Sequence, residues 1–212
     1  MDFWNQFYIN LLNTSLLEFI AVVTGIGSVW YARRENILVY PVGIVSVLIY
    51  VYICYNARLY ADAGINFFYF TVSVYGWYHW THTDGKSEMR EISVNSRKEI
   101  WLGVLLTIVS FFVIITLIWF FNRTDKQYMS SYVPFVDSLT TAIFLIGMWL
   151  MALKKLENWI YWIIGDLIAI PLYFAKGLVF TSFQYLVFLI LAIMGYIEWR
   201  NRWQQLRQSE LL

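Results

Sequence analysis

Long apolar stretches separated by short polar turns dominate the hydropathy pattern of the chain. A helix needs roughly 20 apolar residues to cross the hydrocarbon core of a bilayer, where the backbone must satisfy its own hydrogen bonds. Seven stretches meet this requirement, at residues 16–32, 37–55, 60–80, 100–121, 133–153, 159–175 and 178–199. The pattern therefore predicts an all-α integral membrane protein with seven transmembrane helices.

The remaining segments are predicted to lie outside the bilayer core. Residues 1–15 are expected along the membrane interface, because they lack the basic residues and the small-residue cleavage pattern of a signal peptide. Residues 81–99 carry mixed charges and predict a solvated linker. Residues 200–212 predict a polar tail.

The distribution of basic residues predicts the orientation in the membrane. Seven spans place the termini on opposite sides, with four of the 15 Lys and Arg on the face of the amino terminus and 11 on the other face. Basic residues concentrate in cytoplasmic loops. The amino terminus is therefore predicted outside, and the linker 81–99 and the carboxyl-terminal tail in the cytoplasm.

The composition excludes several classes of protein. With 60% hydrophobic and 14% charged residues, the chain is too apolar for a water-soluble domain, and 20% aromatic residues exclude a disordered chain. The net charge of +1 offers no basic surface for nucleic acid. A single cysteine, Cys54, excludes an intrachain disulfide and a cysteine metal cage. We expect a lipid membrane and no nucleic acid among its partners.

The two ends of the chain resemble one another. At an offset of 122 residues, and of 119 towards the end, glycines, basic turns and hydrophobicity coincide. The identical pairs are Gly25 with Gly147, Glu35 with Glu157, Asn36 with Asn158, Gly43 with Gly165, Gly76 with Gly195 and Trp80 with Trp199. This predicts two parallel three-helix repeats, 16–80 and 133–199, joined by a central fourth helix, 100–121. Such repeats are a transporter design with the substrate site between the halves, although a duplicated bundle without a pathway would show the same pattern.

Positions that are polar in only one repeat are candidates for function. Asp166 lies in the middle of the sixth span opposite Ile44, and a carboxylate at that depth costs several kcal/mol unless it faces a cavity or a partner. Gln184 and Asn66 place one amide on each corresponding helix. All three could bind substrate, or could hydrogen-bond another helix as structural contacts.

A polar and aromatic stripe follows the third span at steps of three and four residues, from Asn66 to Trp80. With similar residues of neighbouring helices it predicts a cavity with flat aromatic walls, although such stripes also form cores and interface belts. The predicted substrate-binding residues are Asn66, Tyr69, Trp77, Trp80, Trp162, Asp166, Tyr173, Thr181, Gln184 and Phe188.

The predicted spans contain no Lys or Arg, which restricts the substrate class. A phosphorylated compound would need a cation or a helix terminus to offset its charge. Neutral or cationic ring compounds are favoured, and a cation stacked on Trp or Tyr gains about 0.5 to 2 kcal/mol.

Enzyme signatures are absent from the sequence. It contains no Walker, GxGxxG or GxSxG pattern, and His79 and His82 lie at the membrane edge beside Asp84 with no third ligand. We expect no enzyme activity, metal or cofactor. Two rival hypotheses are an intramembrane enzyme using Asp166 with Asp137, and a structural protein in which Asp166, Asn66 and Gln184 can become Leu without loss of ligand binding.

The run LYADAGINFFYFTVSVYGWYHW and the later run GDLIAIPLYFAKGLVFTSFQY resemble the PnuC nicotinamide riboside transporters of bacterial inner membranes. The specific parts are the pair Trp77 and Trp80, Asp166, and the segment that contains Gln184. The resemblance implies a SWEET-like seven-helix arrangement and a homotrimer with one pathway per subunit. It also implies facilitated diffusion of nicotinamide riboside by alternating access, with the substrate trapped by cytoplasmic phosphorylation for NAD biosynthesis.

Two features qualify the resemblance. Transporters of thiamine or riboflavin share the fold, and their rings also suit aromatic walls, so another B-type vitamin is the alternative substrate. The prolines Pro41, Pro134 and Pro171 do not pair between the repeats. The proline hinges of SWEET sugar carriers are therefore not carried over.

Overall fold

The computed structural model describes residues 3–82, 90–122 and 126–209, and these residues are almost entirely helical. The helices are α1 Phe3–Asn13, α2 Leu16–Arg33, α3 Val39–Asn56, α4 Tyr60–Thr81, α5 Arg97–Asn122, α6 Lys126–Met129, α7 Val133–Ala152, α8 Asn158–Ala175 and α9 Val179–Ser209. The structure thus contains a helix at each predicted span. The sequence did not predict α6, and α9 extends beyond the predicted end at Trp199 into the segment expected to be a tail.

Four of these helices end in the same way. Glu35, Arg58, Lys154 and Gly177 each have positive φ, between 55° and 74°, two residues after the last residue of α2, α3, α7 and α8. The next amide in each turn donates to a carbonyl five residues back, as from Asn36 N to Tyr31 O at 3.0 Å. This left-handed ending satisfies carbonyls that a helix end leaves unpaired. It reverses the chain within a few residues, so consecutive helices pack antiparallel.

Six helices form a closed ring in the order α2, α3, α4, α7, α8, α9, with α9 returning to contact α2. We call α2–α4 the first half and α7–α9 the second half. The halves meet twice, where α2 packs on α9 and where α4 packs on α7. Outside the ring, α5 packs on α7 and α4, and α1 packs on α9.

Equivalent contacts recur 119 residues apart in the two halves. The indole N–H of Trp80 donates to the Met151 carbonyl at 3.2 Å, and that of Trp199 donates to the Ala32 carbonyl at 3.0 Å. Each tryptophan thus reaches from its own half into the other. By these contacts, residues of α2 correspond to residues of α7 that lie 119 positions later, and not 122 as the identical residues indicated. The offset differs because packing and helix ends, and not residue identity, set which positions are equivalent.

Four rings fill the end of the ring of helices where these bonds form. Tyr40, Trp80, Trp159 and Trp199, which we call the tryptophan cluster, are each at most 1% exposed. Tyr40 contacts Trp80 edge to face at 5.2 Å between centroids, and Trp159 contacts Trp199 in the same way at 5.5 Å. The cluster closes this end of the protein.

The segment that follows α4 contributes to this closed end. Ser93 N donates to Lys154 O at 3.1 Å, and Leu156 N donates to Ser93 O at 2.8 Å. Ile92 is buried against the tryptophan cluster. Ile92 is therefore packed rather than solvated, while Val94 in the same segment is exposed. Residues 83–89 of the predicted linker lie outside the described ranges.

Two salt bridges that share Glu35 join the halves next to the tryptophan cluster. Lys154 Nζ lies 2.9 Å from Glu35 Oε2, and Arg202 Nη1 lies 2.9 Å from Glu35 Oε1. Burial lowers the pKa of the Lys154 ammonium, and the Glu35 carboxylate opposes that lowering. The ammonium also lies 4.7 Å from the centre of the Trp80 ring. The left-handed turns at Glu35 and Lys154, one from each half, are thus joined by the Glu35 carboxylate, which also binds Arg202.

Within the described residues, six helices are long and apolar enough to cross a membrane: α2, α3, α5, α7, α8 and α9. The chain is a multi-pass membrane protein. α4 has 22 residues but is not among the six, since polar and aromatic side chains along its length lower its mean hydropathy. The seventh span at 60–80 remains a prediction.

Candidate functional site

A cavity of about 460 Å³ occupies the centre of the ring and is lined by residues of all six ring helices. Its closed end meets the tryptophan cluster through Tyr40 and Trp159. Its other end reaches Asp62, which is exposed and lies near the start of α4. Asp62 and Trp80 are separated by 18 helical residues, about 27 Å along the axis. The cavity is thus closed at one end and open at the other.

Four stacked rings form one side of the cavity, and we call them the aromatic wall. Phe144 stacks on Trp162 with centroids 5.2 Å apart, and on Tyr185 at 5.9 Å with an interplanar angle of 4°. Tyr185 stacks in turn on Tyr173 at 5.0 Å. All four residues belong to the second half. The four rings give this side of the cavity an aromatic lining, which suits an aromatic or cationic ring.

Two glycines allow the wall to form. A methyl group at Gly165 would overlap the Phe144 ring, and one at Gly147 would lie 3.5 Å from Trp162 Cε2. The rings of Phe144 and Trp162 therefore lie directly on the backbone of the neighbouring helix. The position of the Phe144 ring depends on the absence of a side chain at Gly165, whereas a methyl group at Gly147 would make an ordinary contact with Trp162.

Gly165→Ala is expected to lower the free energy of unfolding by about 1–3 kcal/mol, because the new methyl group must displace the Phe144 ring. Gly64→Ala is the matched control, since nothing lies within 4 Å of the added methyl group. Alanine also has the higher helix propensity, so the control is expected to keep or raise Tm. Thermal unfolding in detergent checks both variants, and equal Tm values would contradict the overlap.

Asp166 is the most deeply buried carboxylate that lines the cavity, with 1% of its surface exposed. Its Oδ2 and the indole Nε1 of Trp162, one helical turn earlier on α8, find no hydrogen-bond partner among the described residues. Unpaired buried polar groups of this kind are costly, and an ionisable one within an apolar helix favours a functional role. Within the described part of the chain, the aromatic wall thus carries an unpaired donor on Trp162, and an unpaired acceptor on Asp166 lies one helical turn away.

Two more carboxylates line the open end. Glu18 and Asp62 form no salt bridge within the described residues. The nearby ammonium of Lys176 is 2.6 Å from Asp137 Oδ2, which offsets its charge. Among the described residues that line the cavity there is no Lys, Arg or His. The cavity therefore carries carboxylates and no basic side chain.

The structure brings eight of the ten predicted site residues to this cavity: Asn66, Tyr69, Trp162, Asp166, Tyr173, Thr181, Gln184 and Phe188. Trp77 and Trp80 do not line it. The indole of Trp77 is 42% exposed on the outer surface, and Trp80 is fully buried in the tryptophan cluster. The buried face of α4 continues from Ser73 to Gly76. Trp77, the next residue, therefore points away from the cavity.

Several lining residues were missed by the sequence analysis. Phe144 and Tyr185 carry the aromatic wall, and Glu18 and Asp62 lie at the open end. Phe144 could have been found from its position 119 residues after Gly25, because a large residue in one repeat then corresponds to a glycine in the other. The 122-residue offset concealed that pairing.

The described residues hold no group of three potential metal ligands. His79 stacks on Tyr75 at 5.5 Å, and His82 stacks on Tyr78 at 3.9 Å. Both rings are therefore packed on aromatic neighbours of their own helix. Asp84, which follows these histidines in the sequence, lies outside the described residues.

Comparison with known proteins is consistent with this architecture. Residues 15–201 match the family model described as nicotinamide mononucleotide transporter. The nicotinamide riboside transporter PnuC of Escherichia coli is 24% identical over 206 residues, covering 88% of this chain and 86% of that protein. The PnuC of Neisseria mucosa is 27% identical, covering 87% and 72%. The riboflavin/roseoflavin transporter RibM of Streptomyces davaonensis is 24% identical, covering 86% and 83%.

A solved structure shares the fold. The crystal structure of the vitamin B3 transporter PnuC superposes with a TM-score of 0.68 at 24% identity, covering 96% of this chain and 88% of that one. The family and the structural neighbour are transporters rather than enzymes. The ring of helices, the central cavity and a family match over most of the length lead to one assignment: the chain belongs to the nicotinamide mononucleotide transporter family.

Proposed function

We propose that the protein carries nicotinamide riboside across the membrane by facilitated diffusion. The observation that supports this most is the central cavity, in which an aromatic wall faces carboxylates and no basic residue among those described. The substrate has a flat pyridinium cation, a carboxamide and sugar hydroxyls. The ring would stack on the wall, and Asp166, Asn66 and Gln184 would bind the polar groups. Two relatives that carry this substrate in their names add support.

The charge of the cavity favours the riboside over the mononucleotide named in the family description. A phosphate ester would place two negative charges beside the carboxyl groups of Glu18, Asp62 and Asp166, with no Lys, Arg or His among the described lining residues to pair with. The positive pyridinium is instead attracted by the same carboxylates. Riboflavin is the second candidate, supported by the relative RibM, and thiamine remains the other B-type vitamin alternative.

The architecture supports transport by alternating access. We propose seven spans, with α4 as the third, arranged as two parallel repeats at 16–80 and 133–199 around the cavity. Opening the closed end would require the bonds of Trp80 and Trp199 to the opposite half to break. The amino terminus would lie outside and the carboxyl terminus in the cytoplasm of a bacterial inner membrane. A homotrimer, and trapping of the riboside by cytoplasmic phosphorylation, complete the proposal.

Calorimetric titration of the detergent-purified protein tests the substrate. We expect saturable binding of nicotinamide riboside and at least a 100-fold weaker affinity for nicotinamide mononucleotide. This ratio is about 2.7 kcal/mol, the scale of one uncompensated charge in a site of low polarity. Tighter binding of riboflavin or thiamine would make that vitamin the substrate in place of nicotinamide riboside. Equal affinity for the riboside and the mononucleotide would contradict the charge argument.

Uptake into proteoliposomes then tests the mode of transport. With the membrane potential held at zero, because the riboside is a cation, it should enter until the concentrations inside and outside are equal. An imposed proton or sodium gradient should not change that level. Accumulation driven by either gradient would overturn facilitated diffusion.

A further inference from the structure

We infer that the substrate lies in one fixed direction, with its ring against the second half and its sugar against the first half, and that Gly25 and Gly43 provide the room for the sugar. The inference rests on the proposed function and adds the orientation and two specificity-determining residues. It comes from how the two halves fill equivalent positions.

The first pair of equivalent positions exchanges a large residue for a small one. In the first half a methyl group at Gly25 would lie 3.1 Å from Ser46 Oγ, so residues 25 and 46 face each other. The residues 119 positions later are Phe144 and Gly165, which also face each other. The second half thus has a phenyl ring where the first half has a glycine.

The second pair repeats the exchange. A methyl group at Gly43 would lie 2.7 Å from Ser28 Oγ. The equivalent residues are Trp162 and Gly147, and the indole lies over that glycine. Two of the four ring positions of the aromatic wall, Phe144 and Trp162, therefore correspond to glycines in the first half, and both glycines line the cavity.

The groups left on the first half suit a sugar. Ser28 donates to Val39 O and Ser46 donates to Ala21 O, each at 2.8 Å, which leaves their oxygen lone pairs free to accept. Ser73 and Asn66 line the same half of the cavity. Sugar hydroxyls are donors that match these acceptors. A side chain at Gly25 would also approach Phe188, 3.8 Å from its methyl position, and so would enter the cavity.

The test transplants the second-half pair into the first half. Gly25→Phe with Ser46→Gly reproduces a pair that the chain already packs at residues 144 and 165. Two probes are titrated: nicotinamide riboside, and 1-methylnicotinamide, a pyridinium cation without a sugar. We expect the transplant to weaken riboside binding at least 10-fold, to the level of 1-methylnicotinamide, whose own affinity changes less than threefold. Ser46→Gly alone measures the part of the loss that comes from the hydroxyl.

A variant of the opposite half provides the reciprocal arm. Phe144→Leu removes ring stacking and should weaken both probes by the same factor, about 5- to 10-fold. The inference is overturned if the transplant weakens both probes equally or neither, or if Phe144→Leu removes only the riboside preference. Gly25→Val with Ser46→Gly serves if the larger transplant does not yield a monodisperse protein. Wild-type protein that binds no riboside would refute the proposed function instead, before any variant is compared.

Discussion

Replacing Asp166 by leucine is expected to weaken nicotinamide riboside binding by about 10- to 100-fold, the range of a hydrogen bond to a charged group. The same change should keep Tm or raise it. In the present structure Oδ2 has no partner within the described residues, and removal of an unpaired buried carboxylate relieves its desolvation cost. Calorimetry and thermal unfolding of one preparation measure both effects.

The opposite pattern identifies a structural role. If Asp166 joined helices, Asp166→Leu would lower Tm and Asp166→Asn would restore it, with little change in affinity at temperatures where the protein is folded. Asp137→Asn is the matched control for a carboxylate outside the cavity lining. Its salt bridge to Lys176 would be lost, and riboside affinity should stay within twofold.

Replacing Trp80 by alanine is expected to destabilise the protein by about 3–5 kcal/mol, the usual cost of removing a buried aromatic ring. The indole is fully buried, contacts Tyr40 and Trp199, and donates to Met151 O. Its loss would open a cavity in the tryptophan cluster and remove one of the two tryptophan bonds that cross between the halves. Tm should fall by on the order of 10 °C.

Trp77→Ala is the matched control, three residues earlier on the same helix. With 42% of its surface exposed and no place in the cavity lining, Trp77 should tolerate the change within about 0.5 kcal/mol and without loss of riboside binding. Loss of binding at unchanged Tm would show that this indole reaches the substrate in another conformation. Equal destabilisation by the two variants would contradict the different burial of the two rings.

The two tryptophans illustrate why a sequence motif does not determine a site. Spacing placed Trp77 and Trp80 on one stripe with Asn66, Tyr69 and Ser73. A helix of 3.6 residues per turn rotates by 100° at each residue, so Gly76 continues the stripe and Trp77 departs from it. The deviation is small in sequence but moves an indole from the interior to the outer surface.

Asp166 shows the part of the site that sequence reasoning reached. A carboxylate in the middle of an apolar span has a high cost in any packing arrangement. Its importance could therefore be inferred without knowing its neighbours. The structure adds its position on the cavity, beside the unpaired indole N–H of Trp162.

The sequence by itself determined the helices and the membrane setting, because hydropathy and turn residues act over a few neighbouring positions. It also indicated two similar halves and four polar residues that line the cavity, Asn66, Asp166, Thr181 and Gln184. Tertiary structure decided the 119-residue register, the exchange of tryptophan bonds between the halves, and which half carries the aromatic wall. These depend on which face of each helix meets a distant helix, and such contacts leave little trace in local sequence patterns.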